Sequence, residues 1–190
     1  MRIYPTPYDN IRGKLKTGDL VFFGGRDNVW SWLIRFFTIS EYSHVAIVLR
    51  TEEGRVVLME STTLDTGNGK KTRGVQRTYL SERIATYKGL VDIATLSSAV
   101  RCDFDARQCE QKLLELEGKP YDTWGAGLSG LGQYLRIPGR ERLNALFCSE
   151  LADAGHRAGG LRHGKDHTPT PEELSRRPIF DAFWRVKEVA

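Results

Sequence analysis

The period of apolar and polar positions changes several times along the chain, and each change predicts an element. Gly18-Asp-Leu-Val-Phe-Phe is a short continuous apolar run entered by a turn, the pattern of a buried strand. From Asn28 to Thr38, Trp30, Leu33, Ile34 and Phe37 recur at helical spacing, which predicts an amphipathic helix covering a sheet. Trp32, Arg35 and Phe36 fall on its other faces, so a groove lining or a membrane contact is the alternative use of that helix. Ser43-His-Val-Ala-Ile-Val-Leu-Arg and Arg55-Val-Val-Leu-Met-Glu-Ser flank Glu52-Glu-Gly and read as a hairpin.

The polar, Gly-rich stretch from Thr62 to Arg73 predicts an exposed loop. Strands are expected at Gly74–Tyr79 and Leu90–Leu96, with a helical turn starting at Ser81 between them. Asp103 or Asp105 can cap a helix running to Glu117, where Gly118 and Pro120 end it. A second helical stretch follows Tyr121-Asp-Thr-Trp, and a third is expected from Phe147-Cys-Ser-Glu-Leu to Gly159. The tail, with Pro169, Pro171 and Pro178, predicts a loop, one helical turn and a last strand near Phe183–Val189. Strands first and helices afterwards indicate an α+β class, here one domain over residues 1–190.

Composition narrows the setting only a little. Apolar residues make up 40% of the 190 positions, enough for a core, and no apolar stretch approaches the roughly 20 residues that span a membrane. The formal charge of +4 favours anionic partners such as a cell-wall polymer or a membrane surface and specifies none. Cys102, Cys109 and Cys148 form an odd set without a CxxC pair, so a disulfide framework is not expected and a reduced compartment is. The first ten residues carry no apolar signal core, and the expectation is a chain that is cytoplasmic as synthesised.

Candidate chemistry centres on Cys148. A thiol at the start of a helix would feel the positive end of the helix dipole, and free N–H groups there could hold an oxyanion. The plainer alternative is a small buried hydrophobe. His44 opens an apolar strand, where an imidazole needs a partner, and makes a candidate base for the thiol. A hairpin register with Glu53-Gly54 at its tip sets Glu60 opposite His44, where its carboxylate would hold the imidazole. A slip by one residue would present Ser61 instead.

Other signals are weaker. Gly125-Ala-Gly-Leu-Ser-Gly fits a dinucleotide fingerprint in form, but no apolar strand precedes it, so no cofactor is expected. His156, His163 and His167 with Asp166 lie near a Gly- and Pro-rich segment and read as a solvated basic loop, not a metal site. The groups Lys70-Lys71-Arg73, Arg136-Arg140-Arg142 and Arg157-Arg162-Lys165 read as solvated faces or an anion-binding rim, and no nucleic-acid motif accompanies them.

Taken in order, Gly18-Asp-Leu-Val-Phe-Phe, the aromatic helix, Tyr42-Ser-His-Val-Ala-Ile-Val, Leu58-Met-Glu-Ser, Gly118-Lys-Pro-Tyr-Asp-Thr-Trp and Phe147-Cys-Ser-Glu-Leu resemble the permuted NlpC-type papain-fold cysteine hydrolases of the YiiX/YebB-like group. His44 precedes Cys148, the reverse of ordinary papain-like enzymes. The resemblance implies a five- or six-stranded antiparallel sheet packed against helices, with Cys148 as nucleophile, His44 as base and Glu60 as orienter. It also implies a substrate or oxyanion role for Tyr121, although a packed Tyr with one hydrogen bond fits that position equally. The expected reaction is cleavage of an amide bond, in a peptidoglycan-type peptide, through a thioester. Hydrolysis of a lipid amide or ester, acyl transfer, and a non-catalytic binding protein on the same fold are the alternatives.

Overall fold

The structure is a computed structural model, and it describes residues 2–24, 41–62, 74–119, 140–161 and 169–188, apart from the side chains of 62 and 140–147. In chain order the described elements are β1 (Ile3–Pro5), α1 (Tyr8–Ile11), β2 (Leu20–Gly24), β3 (His44–Arg50), β4 (Val56–Thr62), β5 (Gly74–Tyr79), α2 (Leu80–Thr86), β6 (Leu90–Leu96), α3 (Ser98–Asp103), α4 (Ala106–Leu116), α5 (Arg140–Ala158), α6 (Pro171–Ser175) and β7 (Phe180–Lys187). The expected helix over Asn28–Thr38, the helical stretch after Tyr121 and the glycines from Gly125 lie outside the described residues.

The strands form one sheet in the order β1-β7-β6-β2-β3-β4-β5, antiparallel except where β1 pairs with β7. The class is therefore α+β, as the sequence pattern predicts. Seven described strands exceed the five or six that the resemblance implies. The difference includes the N-terminal arm: Ile3–Pro5 joins the sheet edge beside Phe183–Arg185, with Tyr4 against the ring of Trp184. Three residues carry no readable period, so only the tertiary edge makes them a strand.

All five residues of β2 are buried, as a central strand with continuous apolar character requires. Alternation then sorts side chains into two layers. Phe22, Val45, Ile47 and Met59 face the layer of Leu113, Leu151, Cys109 and Cys148, while Val21, Phe23, Ala46, Val48 and Leu58 face Ile11, Leu15 and Leu80. Each large side chain so buried contributes roughly 1.5–3 kcal/mol. Asp105 caps α4 by accepting from the Gln108 N–H, and Ser97 does the same for α3.

Helix α5 is set tightly onto this sheet. A Cβ on Gly155 would meet Ile47, Leu113 and Cys109 at 3.0–3.3 Å, so glycine permits the approach of α5 to β3 and α4. One residue on, His156 is fully buried, with Nε2 2.8 Å from the carbonyl oxygen of Gly18. It is a packing residue of the core and not part of a solvated loop. His163, Asp166 and His167 lie outside the described residues.

Two local expectations shift. The hairpin pairs Ile47 with Met59 and Arg50 with Val56, and continuing that register sets His44 opposite residue 62, two places beyond Glu60. Because side chains alternate, a shift of two keeps Glu60 on the same face as His44 and diagonal to it. Helix α5 begins at Arg140, eight residues before Cys148, so Cys148 does not open a helix.

Candidate active site

Three elements bring the candidate residues together. His44 is the first residue of β3, beside Phe23 of β2, and the two rings lie 5.5 Å apart. Glu60 is in β4, buried on the face it shares with Val56 and Leu58. Cys148 comes from α5 in the layer on the other face and is also buried. His44, at the strand end and with its side chain 16% exposed, joins the two.

The geometry is directional. His44 Nε2 lies 3.0 Å from Glu60 Oε2, which leaves Nδ1 as the nitrogen for Cys148. Burial disfavours the charged imidazole, yet the charge and hydrogen bond of Cys148, with those of Glu60, outweigh it and raise His44 to about 9. Burial also acts to raise the Glu60 carboxyl. The hydrogen bond and charge of His44 and the charge of Arg83 overcome it and hold Glu60 at about 2. At neutral pH the pair is accordingly an imidazolium against a carboxylate.

Arg83 is the residue that sequence reasoning missed. Its Nε donates to the same Glu60 oxygen at 3.2 Å, and its guanidinium stacks 5.1 Å from the Phe23 ring centroid and 5.4 Å from that of Tyr87. A readable signal exists in α2. Leu80, Ile84 and Tyr87 follow helical spacing onto the sheet, and Arg83 interrupts that apolar stripe, as a cation does only when a buried partner awaits it.

The start of α5 does not supply the expected oxyanion donors. The N–H groups of Cys148 and Ser149 lie inside the i→i−4 ladder of a helix already eight residues long at that point. Tyr121 lies outside the described residues. Of the other cysteines, Cys102 is exposed, whereas burial pushes the Cys109 thiol up to about 12. Of the basic groups, Arg157 is committed to Asp153 at 2.6 Å, Arg140 and Arg142 open α5, and Lys70, Lys71, Arg73, Arg136, Arg162 and Lys165 lie outside the described residues.

No protein-family model and no curated protein sequence matches the chain. Among solved structures, it is similar to the crystal structure of the metalloprotein YiiX from Escherichia coli O157:H7 (DUF1105), with a TM-score of 0.56 and 20% identity, covering 91% of this chain and 97% of that one. Among the described residues, no group of three or more His, Cys, Asp or Glu is gathered to hold a metal ion. The His44 imidazole is hydrogen-bonded to both Glu60 and Cys148. Nor, among the described residues, is any helix long and apolar enough to cross a membrane. The chain shares the fold of YiiX.

Proposed function

We propose that this protein is a cysteine hydrolase that cleaves an amide bond, in a peptidoglycan-type peptide, through a thioester intermediate. The observation that carries the reading is the pairing of His44 with both Cys148 and Glu60, the imidazole being held at Nε2 by the carboxylate. The proton that Cys148 gives up rests on His44 Nδ1, in keeping with the imidazolium form of the ring, and the thiolate attacks the carbonyl carbon. The imidazolium, kept charged by Glu60, then gives that proton to the leaving amine. Water, with His44 as base, releases the acyl group. No step passes through a metal.

The interior position of Cys148 in α5 and its burial favour one second reading, a binding protein on the same fold without turnover. Iodoacetamide separates the two. In a Cys102→Ser background, which removes the exposed competitor, the catalytic reading expects Cys148 to be alkylated at neutral pH. His44→Ala should then slow that reaction by roughly 10²-fold or more. A Cys148 that reacts no faster than a free thiol and ignores His44→Ala supports the binding protein. Peptidoglycan fragments and lipid amides or esters, offered with and without an amine or alcohol acceptor and with Cys148→Ala as blank, then distinguish amidase, lipid hydrolase and acyltransferase.

A further inference from the structure

We propose that Arg83 is a positioning residue of this site: by donating to the Glu60 oxygen that His44 also uses, it fixes the carboxylate and shares its charge. The inference rests on the catalytic reading of Cys148 and His44, and adds a residue to it. Three observations support the assignment. Both donors converge on Oε2, from His44 at 3.0 Å and from Arg83 at 3.2 Å, so Glu60 cannot rotate toward one without loosening the other. Phe23 contacts both the His44 ring and the Arg83 guanidinium, and Tyr87 closes the second side of the latter. The helix that carries Arg83 is itself anchored, by fully buried Leu80 at its start and by Lys187 Nζ, which donates to the Ile84 carbonyl at 2.7 Å near its end.

An arginine placed so has a chemical consequence. A buried carboxylate with His44 as its sole cationic partner would bind the imidazolium more tightly and make it a poorer acid toward the leaving group. Arg83 takes part of that charge at the same oxygen. The groups acting on His44 are Cys148 from α5 and Glu60 from β4, with Arg83 and then Tyr87 behind Glu60. Arg83 therefore adjusts how readily the proton returns from His44, while the packing of Phe23 and Tyr87 prevents the guanidinium from swinging out to solvent.

The test reads His44 directly, by NMR titration of the labelled imidazoles in the full chain, with the His44 signal identified by its loss in His44→Gln. Arg83→Met should raise the His44 midpoint by roughly one pH unit. Arg83→Lys, which keeps the charge, should leave it near the wild-type value. Arg83→Gln, neutral but closer in shape, carries the same expectation as Arg83→Met and serves if that variant does not fold. An unchanged or lowered midpoint in the neutral variants, or an equal rise in Arg83→Lys, overturns the inference, since a merely structural arginine would not move this titration in a charge-dependent way. Failure of the catalytic reading looks different: Cys148 would stay inert to iodoacetamide in the wild-type chain whatever the His44 titration shows.

Discussion

Two buried carboxylates on opposite faces of the sheet each hold an arginine, and they are built for different ends. Asp92 in β6 accepts from Arg185 Nε at 2.9 Å through one oxygen and from Arg185 Nη2 at 2.8 Å through the other, and from the Tyr42 hydroxyl at 2.7 Å. Arg185 is its cross-strand partner in β7, so the fork ties two strands and the segment before β3 together. Burial and the Asp92 charge push the Tyr42 hydroxyl well above its ordinary range, and the Asp92 hydrogen bond does likewise for Arg185. Neither partner exchanges a proton near neutrality. Glu60 spends one oxygen on two donors, and one of these is an imidazole that titrates. The Asp92 cluster is a clamp, whereas the Glu60 cluster holds a proton that can move.

The largest test of that contrast removes the carboxylate charge from the second cluster. Glu60→Gln leaves an amide facing two donors, so His44 loses both its orientation and its counter-charge. Hydrolysis should fall by roughly 10²- to 10⁴-fold, with a loss of thermal stability too small to account for it. Asp92→Ala should do the reverse. Removing one partner of a buried pair costs about 3 kcal/mol or more, or roughly 10 °C in melting temperature for a chain of this length, while the iodoacetamide rate at Cys148 stays within about twofold of wild type. Equal effects of the two substitutions on labelling would erase the distinction.

Much of this arrangement was open to sequence reasoning, and the parts that were not have physical causes. The β3–β4 hairpin, β5, β6 and the Asp105-capped α4 follow from period and turn chemistry, which are local. The register of the hairpin came out two residues off because the turn spans Thr51 to Arg55 and closes with the Thr51 N–H on the Arg55 carbonyl. The face of Glu60 survived because alternation tolerates an even shift. Helix α5 starts at Arg140 and not at Cys148, and Leu143 and Phe147 already continue a helical spacing ahead of the thiol. Asp92 and His156 are polar residues buried by distant partners, Arg185 and Gly18, which no local pattern announces. Arg83 falls between these cases. Its stripe was visible and its partner was not.

A smaller effect separates the clusters by pH. The folded state raises His44 from 6.5 to about 9, so its contribution is complete below 6.5 and lost as pH rises through 9. Glu60, lowered from 4.5 to about 2, contributes fully above 4.5, and that contribution is lost as pH falls through 2. The two limbs describe one coupled interaction and are not added. Asp19, raised by burial to about 6, acts in the opposite sense as pH climbs from 3.8, so the measured quantity is wild type minus His44→Gln, from which it cancels. That difference in unfolding free energy should be greatest between about pH 4.5 and 6.5, on the order of 1–3 kcal/mol, and shrink on both sides. A flat difference from pH 3 to 10 would mean that the His44–Glu60 contact holds no proton of consequence.

The smallest prediction asks whether pairing or burial gives the two clusters their weight. Arg77 and Glu117 meet at 2.6 Å, closer than any donor to Glu60 or Asp92, but their side chains are 53% and 31% exposed. In water the attraction is screened, and holding two long side chains in one geometry costs entropy. Glu117→Gln should therefore cost less than about 1 kcal/mol, and molar salt should remove most of even that. Chemical denaturation in urea at low and high salt measures it. A loss as large as that of Asp92→Ala would show that contact distance alone sets the strength of these pairs, and the case for Glu60 as a specially placed carboxylate would fall with it. A small, salt-sensitive loss assigns the difference to the sheet itself, which buries Glu60 and Asp92 so deeply that each must be paired, and leaves their partners to decide whether the result is a clamp or a proton carrier.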